Sequence, residues 1–398
     1  MKTGVKKFLK KLPDLAFITL IIAVLIFGLL KTVFLPKDIN YYENRKSEKI
    51  IFPTFKNISE QKFQNSIEKS LADQIPKAQT LKKMYNLSTA IYIDTMVRTV
   101  IESNPDVYIN YLGVKLFGSD QIVYSFRDLN TLKPDLNAKA ENYNSLIESY
   151  PDIEFYAYFI EKDTDINFET GEKLGAGEYM FNLLNLPDTN KAIFKINSYN
   201  DFRESFYRTD HHWNHKGSYK AYLEVLDLLG IKDEPIKHSE EILVSKEFSG
   251  SKAASAGANT FKEDFFAYQF DYPEIKVTIN GEQADDYGEQ DEYFSDNKPS
   301  KITYGDFYGW DNGETIFESS NDERDNILIF GESYDNAILK LLATHYNTIY
   351  SIDMRTHKGQ IGKEFNFSDY VKSHKIDKVL FIGNVDFYTM KEFILEND

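Results

Sequence analysis

Near its carboxyl end the chain alternates short apolar runs with stretches of helical spacing, and this alternation limits the possible folds more than any other feature. The apolar runs cover residues 327–330 and 379–382, a further strand is expected at 348–352 between them, and helical patterns occur at 337–342 and around 367–374. Short unbroken apolar runs are typical of strands buried on both faces. Strands that alternate with helices form parallel sheets with right-handed crossovers. The sequence therefore predicts an α/β fold built on a parallel sheet.

A serine follows the first of these runs, where a tight turn is expected. Gly331-Glu332-Ser333 comes directly after the predicted strand. This placement puts the hydroxyl of Ser333 at the carboxyl edge of the sheet, near the positive end of the next helix. The segment is not the Gly-x-Ser-x-Gly nucleophile elbow, because Asp335 stands where that motif has its second glycine. A serine in such a turn is common, so it indicates a nucleophile only if a base and an orienting carboxylate accompany it.

The segment Asp210-His211-His212-Trp213-Asn214-His215 offers those two groups. Residues 210–222 hold three of the seven histidines and one of the two tryptophans. In an extended segment Asp210 and His212 share a face, so the carboxylate can orient the imidazole. Two alternatives remain open from the residues alone, namely a metal site that uses His211, His212 and His215, or a structural cluster of surface imidazoles.

The motif Asp210-His211-His212-Trp213, followed by Asn214, Gly217 and Tyr219, resembles the DHHW-motif family of Gram-positive bacteria. That family is similar to the alginate O-acetyltransferases. The resemblance implies an SGNH-hydrolase-like, flavodoxin-like parallel sheet with circularly permuted blocks, in which the Asp-x-His-Trp pair precedes the serine. It also implies that Asp210, His212 and Ser333 form a catalytic triad.

Four further residues are candidates for an oxyanion hole or a substrate cleft. Asn384 follows the third predicted strand in Gly383-Asn384-Val385-Asp386, displaced by one position from the Gly-x-Asn-Asp block of SGNH enzymes, and Arg355 follows the second strand. Tyr308 and Trp310 would offer flat apolar faces to sugar rings. The ordinary alternatives are a turn residue for Asn384 and loop-packing aromatics for the other two.

The amino-terminal residues 1–36 predict a membrane anchor. Five lysines precede residues 15–30, sixteen positions without a charge, and the apolar character resumes at 32–35 after Lys31. A span of this kind, with basic residues before it, would leave the amino terminus in the cytoplasm and the remaining chain outside the cell. A cleaved signal peptide is the alternative, although no small-x-small cleavage site follows the apolar run.

The remaining chain divides into a juxtamembrane helical region, 37–100, and an extracytoplasmic catalytic domain, 101–398, with an insertion at about 245–325. Helical spacing is expected at 55–71 and 79–96, and the segments Glu43-Asn44-Arg45 and Asp73-Gln74-Ile75-Pro76 resemble segments of the same family. A helix is expected over 136–150 and a strand buried on both faces over 154–160.

Composition narrows the class of protein. The chain has no cysteine, which excludes disulfides, thiolate metal sites and a cysteine nucleophile. Its net charge of −16 disfavours nucleic acid as a partner. With the resemblance, we expect a membrane-anchored serine O-acyltransferase, in the first instance an O-acetyltransferase, that needs no cofactor or metal. The implied partners are a polysaccharide acceptor and a membrane-bound O-acyltransferase as acyl donor. A carbohydrate esterase and a non-catalytic surface binding or scaffold subunit are the alternatives.

Overall fold

The computed structural model describes residues 37–40, 45–74, 109–111, 114–117, 121–255, 261–288, 290–295, 301–319 and 323–395, with residues 15–24, 26–28 and 30–31 and a few further single positions. The chain divides into two compact units, Met1–Asp94 and Thr95–Asp398. The strands are β1 Ile39–Asn40, β2 Arg45–Lys46, β3 Ile109–Tyr111, β4 Val114–Phe117, β5 Gln121–Tyr124, β6 Glu154–Ile160, β7 Lys191–Phe194, β8 His238–Phe248, β9 Glu263–Phe270, β10 Lys276–Ile279, β11 Glu282–Ala284, β12 Glu314–Glu318, β13 Asn326–Phe330, β14 Thr348–Ile352 and β15 Lys378–Asn384.

The helices are Phe55–Ser59, Lys62–Gln74, Leu129–Ser149, Ala176–Leu183, Tyr199–Ser205, His215–Leu228, Ser251–Ser255, Gln290–Phe294, Tyr304–Tyr308, Asn336–Ala343, Met354–Ile361, Phe367–His374 and Val385–Thr389. Short 3-10 turns occur at Asp163–Asp165, Asp188–Asn190 and Lys391–Phe393.

A buried carboxylate organises the described part of the first unit. Asp73 is 1 % exposed and accepts two hydrogen bonds from the Arg45 guanidinium, at 2.8 and 2.9 Å, and one from the Glu48 backbone N–H at 2.9 Å. Two segments that the sequence marked separately, Glu43-Asn44-Arg45 and Asp73-Gln74-Ile75-Pro76, therefore meet through Arg45 and Asp73. A bidentate pair of this kind fixes the loop on the helix more firmly than a single contact would.

The predicted helix over 55–71 is interrupted. The structure has Phe55–Ser59 and Lys62–Gln74 instead, and Gln61 between them adopts a positive φ of 60°. A non-glycine residue in the left-handed region cannot continue a right-handed helix, so the chain turns there. The second helix expected in this region, over 79–96, lies outside the described residues apart from single positions.

In the part of the chain that the structure describes, no helix combines the length and the apolar character needed to cross a membrane. The expected transmembrane helix within 1–36 is thus not found. Residues 15–24 are helical with exposed apolar side chains, whereas 1–14 and several positions between 25 and 36 lie outside the described residues.

The second unit is built on one eight-stranded sheet with the order β11-β10-β12-β14-β13-β15-β6-β7. The five strands from β14 to β7 are parallel, and β12, β10 and β11 continue the sheet in antiparallel fashion. The prediction of a parallel α/β sheet is confirmed for this core. We number the parallel strands from β13, so that β13, β14 and β15 are strands 1 to 3 and β6 and β7 are strands 4 and 5. Their order across the sheet is then 2-1-3-4-5, which is the order of doubly wound flavodoxin-like sheets.

The sheet is buried on both faces, as its apolar strands predict. In β6 the side chains of Tyr156, Tyr158 and Ile160 join one hydrophobic cluster, whereas Phe155, Ala157 and Phe159 join the other. Alternate residues of a strand point to opposite faces, so each face needs its own cover. Helices His215–Leu228 and Asn336–Ala343 cover the first face, and helices Leu129–Ser149 and Phe367–His374 contribute to the cover of the second. At about 1.5–3 kcal/mol for each fully buried apolar side chain, these two clusters stabilise the layered fold.

Several element boundaries differ from the sequence-based expectation. The helix predicted over 136–150 begins earlier, at Leu129, where the Asp128 side chain caps it by accepting the N–H of Asn130. Pro134 lies within that helix and made an earlier start hard to predict. The crossover after β14 holds an additional helix, Met354–Ile361, which Asp353 caps. The strand over 154–160 is confirmed in full.

Candidate active site

The motif segment is held by the start of the helix His215–Leu228. Asn214 caps this helix, because its side-chain oxygen accepts the backbone N–H groups of Lys216 and Gly217 at 2.9 and 3.0 Å. Gly217 packs directly on the preceding segment, since a Cβ at this position would lie 2.1 Å from the Ser205 carbonyl oxygen. Trp213 is fully buried next to them. The Trp-Asn-x-x-Gly part of the motif is thus explained by packing and capping alone.

Asp210 and His212 are joined twice. The Asp210 Oδ1 atom accepts the backbone N–H of His212 at 3.0 Å and lies 2.6 Å from His212 Nδ1. The other carboxylate oxygen accepts the backbone N–H of Ser251 at 2.7 Å. Gly250 leaves the room for this contact, because a Cβ there would lie 2.3 Å from the Asp210 Cβ. The carboxylate is therefore fixed on both sides and orients the imidazole.

Ser333 completes this arrangement. It follows β13, whose neighbours β14 and β15 lie on opposite sides, so it stands at the topological switch point of the sheet, where ligands of such folds bind. His212 Nε2 lies 2.8 Å from Ser333 Oγ. Gly331 is required in the turn, because a Cβ would lie 2.1 Å from an Asp335 carboxylate oxygen. The structure thus brings Asp210, His212 and Ser333 together in the geometry of a nucleophile, a base and an orienting carboxylate.

The electrostatics of the segment suit this arrangement. Burial by itself would raise the pKa of Asp210, but the neighbouring imidazoles of His212 and His211 and the N–H donors hold it well below its usual range. Burial, together with the neighbouring His212, lowers the pKa of His211 well below its usual value. Asp210 is therefore ionised at neutral pH, and His211 is neutral.

Tyr304 is a site residue that the sequence did not single out. Its ring stacks on the His212 imidazole with the two centroids 3.7 Å apart and the planes 2° from parallel. It is 2 % exposed, so it shields one face of the imidazole from water. No local pattern announces such a contact, although Tyr304 belongs to the aromatic stretch that includes Tyr308 and Trp310.

Glu263, at the start of β9, holds the chain just before Asp210. Its carboxylate accepts the backbone N–H groups of Arg208 and Thr209 at 2.9 and 2.7 Å and the Thr209 hydroxyl at 2.6 Å. Thr209 Oγ1 in turn accepts the N–H of Gly250 at 2.9 Å. The stretch 245–325, which the sequence suggested to be an insertion, therefore supports the motif directly.

A buried ion pair connects the helix Ser251–Ser255, which follows Gly250, to the 3-10 turn after β6. Lys252 Nζ lies 2.9 Å from an Asp163 carboxylate oxygen, and both side chains are at most 1 % exposed. Asp165, two residues further on, is also buried, and burial raises its pKa to about 7. Its Oδ2 atom accepts hydrogen bonds from the Lys162 backbone N–H and the Thr164 hydroxyl, each at 3.2 Å.

The two remaining polar candidates lie in one network next to Ser333. Asn384 Nδ2 donates to Glu332 Oε1 at 2.5 Å, while its side-chain oxygen accepts the N–H of Asp386 and caps the last helix. Arg355 forms a fork with Asp353 at 2.6 and 2.9 Å, and its Nη1 lies 3.7 Å from Glu332. Burial raises the pKa of Glu332, and the two cations Arg355 and Lys162 oppose this shift. No hydrogen bond joins Asn384 or Arg355 to Ser333 within the described chain, so their role in an oxyanion hole stays a prediction.

The two aromatic candidates differ in exposure. Tyr308 is 6 % exposed and packs against Tyr304, with ring centroids 4.8 Å apart. Trp310 is partly exposed and packs on Gly305, where a Cβ would lie 2.6 Å from its ring. Tyr308 is too buried to offer the face of its ring to a ligand.

A cleft of about 710 Å³ opens beside the motif. Both flanks of the motif segment line it, from Arg203 to Arg208 and from Asn214 to Lys216, together with residues of β8 and β9. Its size is in the range of ligand pockets. The three residues of the triad arrangement do not line it.

The geometry of Asp210, His211 and His212 would also allow a metal ion to bind. Among the described residues, Asp210, His211 and His212 place one ligand atom each within 4.8 Å of one another. His215 is not part of this group, since its Nε2 lies 2.8 Å from Glu241. The two ring nitrogens of His212 already face Asp210 and Ser333, so metal binding would disrupt the relay that these contacts form.

Comparison with protein-family models gives a match to the family described as DHHW protein, over residues 85–352. This range covers more than half of the chain. The chain belongs to the DHHW protein family. The resemblance drawn from Asp210-His211-His212-Trp213 is therefore confirmed.

Solved structures show the same fold at low sequence identity. A DHHW family protein from Eubacterium siraeum is 17 % identical, with a TM-score of 0.54, over 73 % of this chain and 98 % of that one. Bacillus cereus PatB1 with a sulfonyl adduct is 17 % identical, with a TM-score of 0.53, over 71 % and 97 %. The O-acetyltransferase domain of Pseudomonas putida AlgJ is 11 % identical, over 70 % and 93 %, and its TM-score of 0.38 is too low to support an inference. A comparison with curated protein sequences gives no significant match to this DHHW family protein.

Proposed function

We propose that this DHHW family protein is an extracytoplasmic serine O-acyltransferase that moves an acyl group, acetyl in the first instance, to a hydroxyl of a polysaccharide. One observation carries the proposal. His212 bridges Asp210 and Ser333 through its two ring nitrogens, at 2.6 and 2.8 Å, in a buried segment at the switch point of the sheet. An SGNH-like reading of the permuted sheet fits the strand order, and the likeness of the motif to alginate O-acetyltransferases favours transfer over hydrolysis.

The first half-reaction forms an acyl-serine. His212 Nε2 takes the proton of the Ser333 hydroxyl while the oxygen attacks the acyl carbonyl carbon of the donor ester, and Asp210 stabilises the resulting imidazolium. When the tetrahedral intermediate collapses, the bond to the donor oxygen breaks, and His212 returns the proton to that leaving oxygen. The Ser333 backbone N–H, for which no described residue supplies an acceptor, is one donor for the oxyanion.

The second half-reaction uses a sugar hydroxyl. His212 removes the proton of the acceptor hydroxyl, whose oxygen attacks the acyl carbon, and the bond to Ser333 Oγ breaks as the proton passes to that oxygen. Tyr304, stacked on the imidazole, limits the access of water to the base and so favours transfer over hydrolysis. The triad residues do not line the cleft beside the motif, so the proposal assigns this cleft to acceptor units away from the reacting hydroxyl.

We infer a location at the cell membrane, as a single-pass protein with its amino terminus in the cytoplasm and its catalytic unit outside. The sequence supports this inference, since five lysines precede sixteen uncharged residues at 15–30. Such a position suits a membrane-bound O-acyltransferase as donor partner, because the acyl group would be handed over at the outer surface of the bilayer.

Intact mass spectrometry of the full chain with p-nitrophenyl acetate tests the proposal. We expect one acetyl group on Ser333, lost faster when an oligosaccharide is added and recovered on that sugar. Ser333→Ala should lower turnover by at least about 10³-fold. Ser373→Ala, at an exposed serine that bonds only to its own helix, serves as the matched control.

The other outcomes distinguish the alternatives. Acetyl release to water that no sugar accelerates would indicate an esterase. Equal turnover by Ser333→Ala and the parent chain would refute every serine mechanism at this site. A sulfonyl fluoride that leaves Ser333 unmodified would argue in the same direction, because such reagents require an activated hydroxyl.

A further inference from the structure

The first unit presents an apolar patch to solvent. Phe52 is 79 % exposed and Phe55 is 90 % exposed, and Ile51 and Ile58 are 39 % and 46 % exposed. We name these four side chains the apolar patch. The helix Phe55–Ser59 buries none of its residues. Scattered exposed apolar residues are ordinary, but here two phenylalanines and two isoleucines are exposed within eight positions, and concentrations of exposed apolar side chains mark interaction sites.

The patch is presented by a built turn. Thr54 caps the short helix by accepting the N–H of Asn57 at 3.1 Å, and the Asn57 side chain donates to the Phe52 carbonyl at 3.0 Å. The Ile51 N–H donates to Ser66 Oγ at 3.2 Å and so fastens the turn to the next helix. These bonds fix the turn that carries the four exposed apolar side chains.

The position of the patch in the chain points to a lipid surface. The apolar run of the predicted anchor ends at Leu35, and the Lys37 N–H already donates to the side chain of Gln74 at 2.6 Å. The described segment that carries the patch therefore begins two residues after that run. An anchor in the bilayer would keep the whole unit, and with it the patch, at the membrane surface.

The local charge agrees with this position. Residues 45–74 hold six basic and four acidic residues, whereas the whole chain has a net charge of −16. Lys49, Lys56 and Lys62 lie close to the patch in sequence. Exposed aromatic and aliphatic side chains among lysines are the composition of segments that lie in the interface of anionic membranes.

We propose that the apolar patch, Ile51, Phe52, Phe55 and Ile58, inserts into the outer surface of the lipid bilayer and holds the first unit against it. The inference rests on the membrane location proposed above and is independent of acyl transfer. Its occupant is the lipid interface, because the proposed anchor would bring lipid to the patch in every copy of the chain. A surface of a membrane protein partner is the competing occupant, and the test separates the two.

The absence of cysteine from the chain gives a direct test. The full chain with Phe55→Cys carries an NBD fluorophore and is reconstituted into vesicles of phosphatidylcholine and phosphatidylglycerol. Lys69→Cys, at a side chain 66 % exposed in the same unit, carries the same label as matched control. We expect a blue-shifted emission at position 55 and loss of fluorescence when the vesicles contain doxyl-labelled lipid, and neither effect at position 69.

Each other outcome is decisive. Emission at position 55 that matches position 69 and is not quenched by doxyl lipid would overturn the proposal. A shift at position 55 that requires a co-reconstituted membrane-bound O-acyltransferase, and that doxyl lipid does not quench, would assign the patch to a protein partner instead. The same labels in a Ser333→Ala background should behave identically, so a failed serine mechanism would leave this result intact.

Discussion

Replacement of Glu263 by glutamine tests whether β9 positions the motif. In the folded chain the two carboxylate oxygens of Glu263 accept three hydrogen bonds from Arg208 and Thr209, which immediately precede Asp210. A carboxamide keeps one acceptor oxygen and places an NH₂ group where the other was. If the oxygen stays with Thr209, the backbone N–H of Arg208 faces a donor and loses its partner.

The expected magnitude follows from that single lost acceptor. A buried donor left without a partner costs about 1–3 kcal/mol. At about 1.4 kcal/mol for each factor of ten, the upper limit corresponds to a loss of about 150-fold and the lower limit to about fivefold. If loss of this hydrogen bond displaces the motif, Glu263→Gln lowers kcat for p-nitrophenyl acetate within this range and leaves KM nearly unchanged.

The matched control is Glu247→Gln, on the neighbouring strand, whose side chain is 70 % exposed and reaches only Lys262 at 4.0 Å. Glu247→Gln should change neither kcat nor Tm. A lower Tm for Glu263→Gln with an unchanged kcat would make Glu263 purely structural. Wild-type kcat and wild-type Tm together would refute the reasoning.

Two further predictions concern the support of the motif. Gly250→Ala should lower turnover by at least about tenfold, because its Cβ would displace Asp210 and small misplacements of a catalytic group are costly. Gly359→Ala is the control and should not lower turnover, since a Cβ at that position meets nothing within 4 Å. Equal rates for the two variants would contradict this prediction. Burial raises the pKa of Asp165 from about 3.8 in the unfolded chain to about 7 in the folded chain, so the folded chain holds this proton more tightly. The stability that the proton contributes is fully present below about pH 3.8, and on the order of 4 kcal/mol of it is lost by the time the pH has risen through about 7. Asp165→Asn should therefore raise Tm at about pH 8 much more than at about pH 5, and Asp188→Asn, at an exposed carboxylate, should not; a parallel shift at both pH values would refute the assignment.

Local sequence patterns were sufficient to predict some of the strands, but not every helix boundary. The strands at 154–160 and 348–352 were predicted at their observed bounds. The first has an unbroken apolar and aromatic run from Phe155 onward, which suits a strand covered on both faces, and the second follows from its place in the alternation of strands and helices. The break at Gln61 and the early start at Leu129 were missed, because a positive φ and a capped first turn with an internal proline leave little trace in apolar spacing.

The supports of the site could not be predicted in the same way. Glu263 lies in a strand whose alternation would also fit a solvent-facing carboxylate, and Gly250 lies among small residues that suggest only a loop. Tyr304 was one aromatic residue among several. What distinguishes each of them is a partner at least forty positions away in the chain, and no local propensity records such a partner.

The sequence by itself determined the α/β class, the family through Asp210-His211-His212-Trp213, and the residue types of a nucleophile, a base and a carboxylate. Each of these depends on neighbours within a few positions, through periodicity, capping and turn chemistry. Only the tertiary structure decided that His212 and Ser333, 121 positions apart, lie within hydrogen-bond distance. That distance follows from the order and register of the parallel strands, which burial of both faces of the sheet fixes for the chain as a whole.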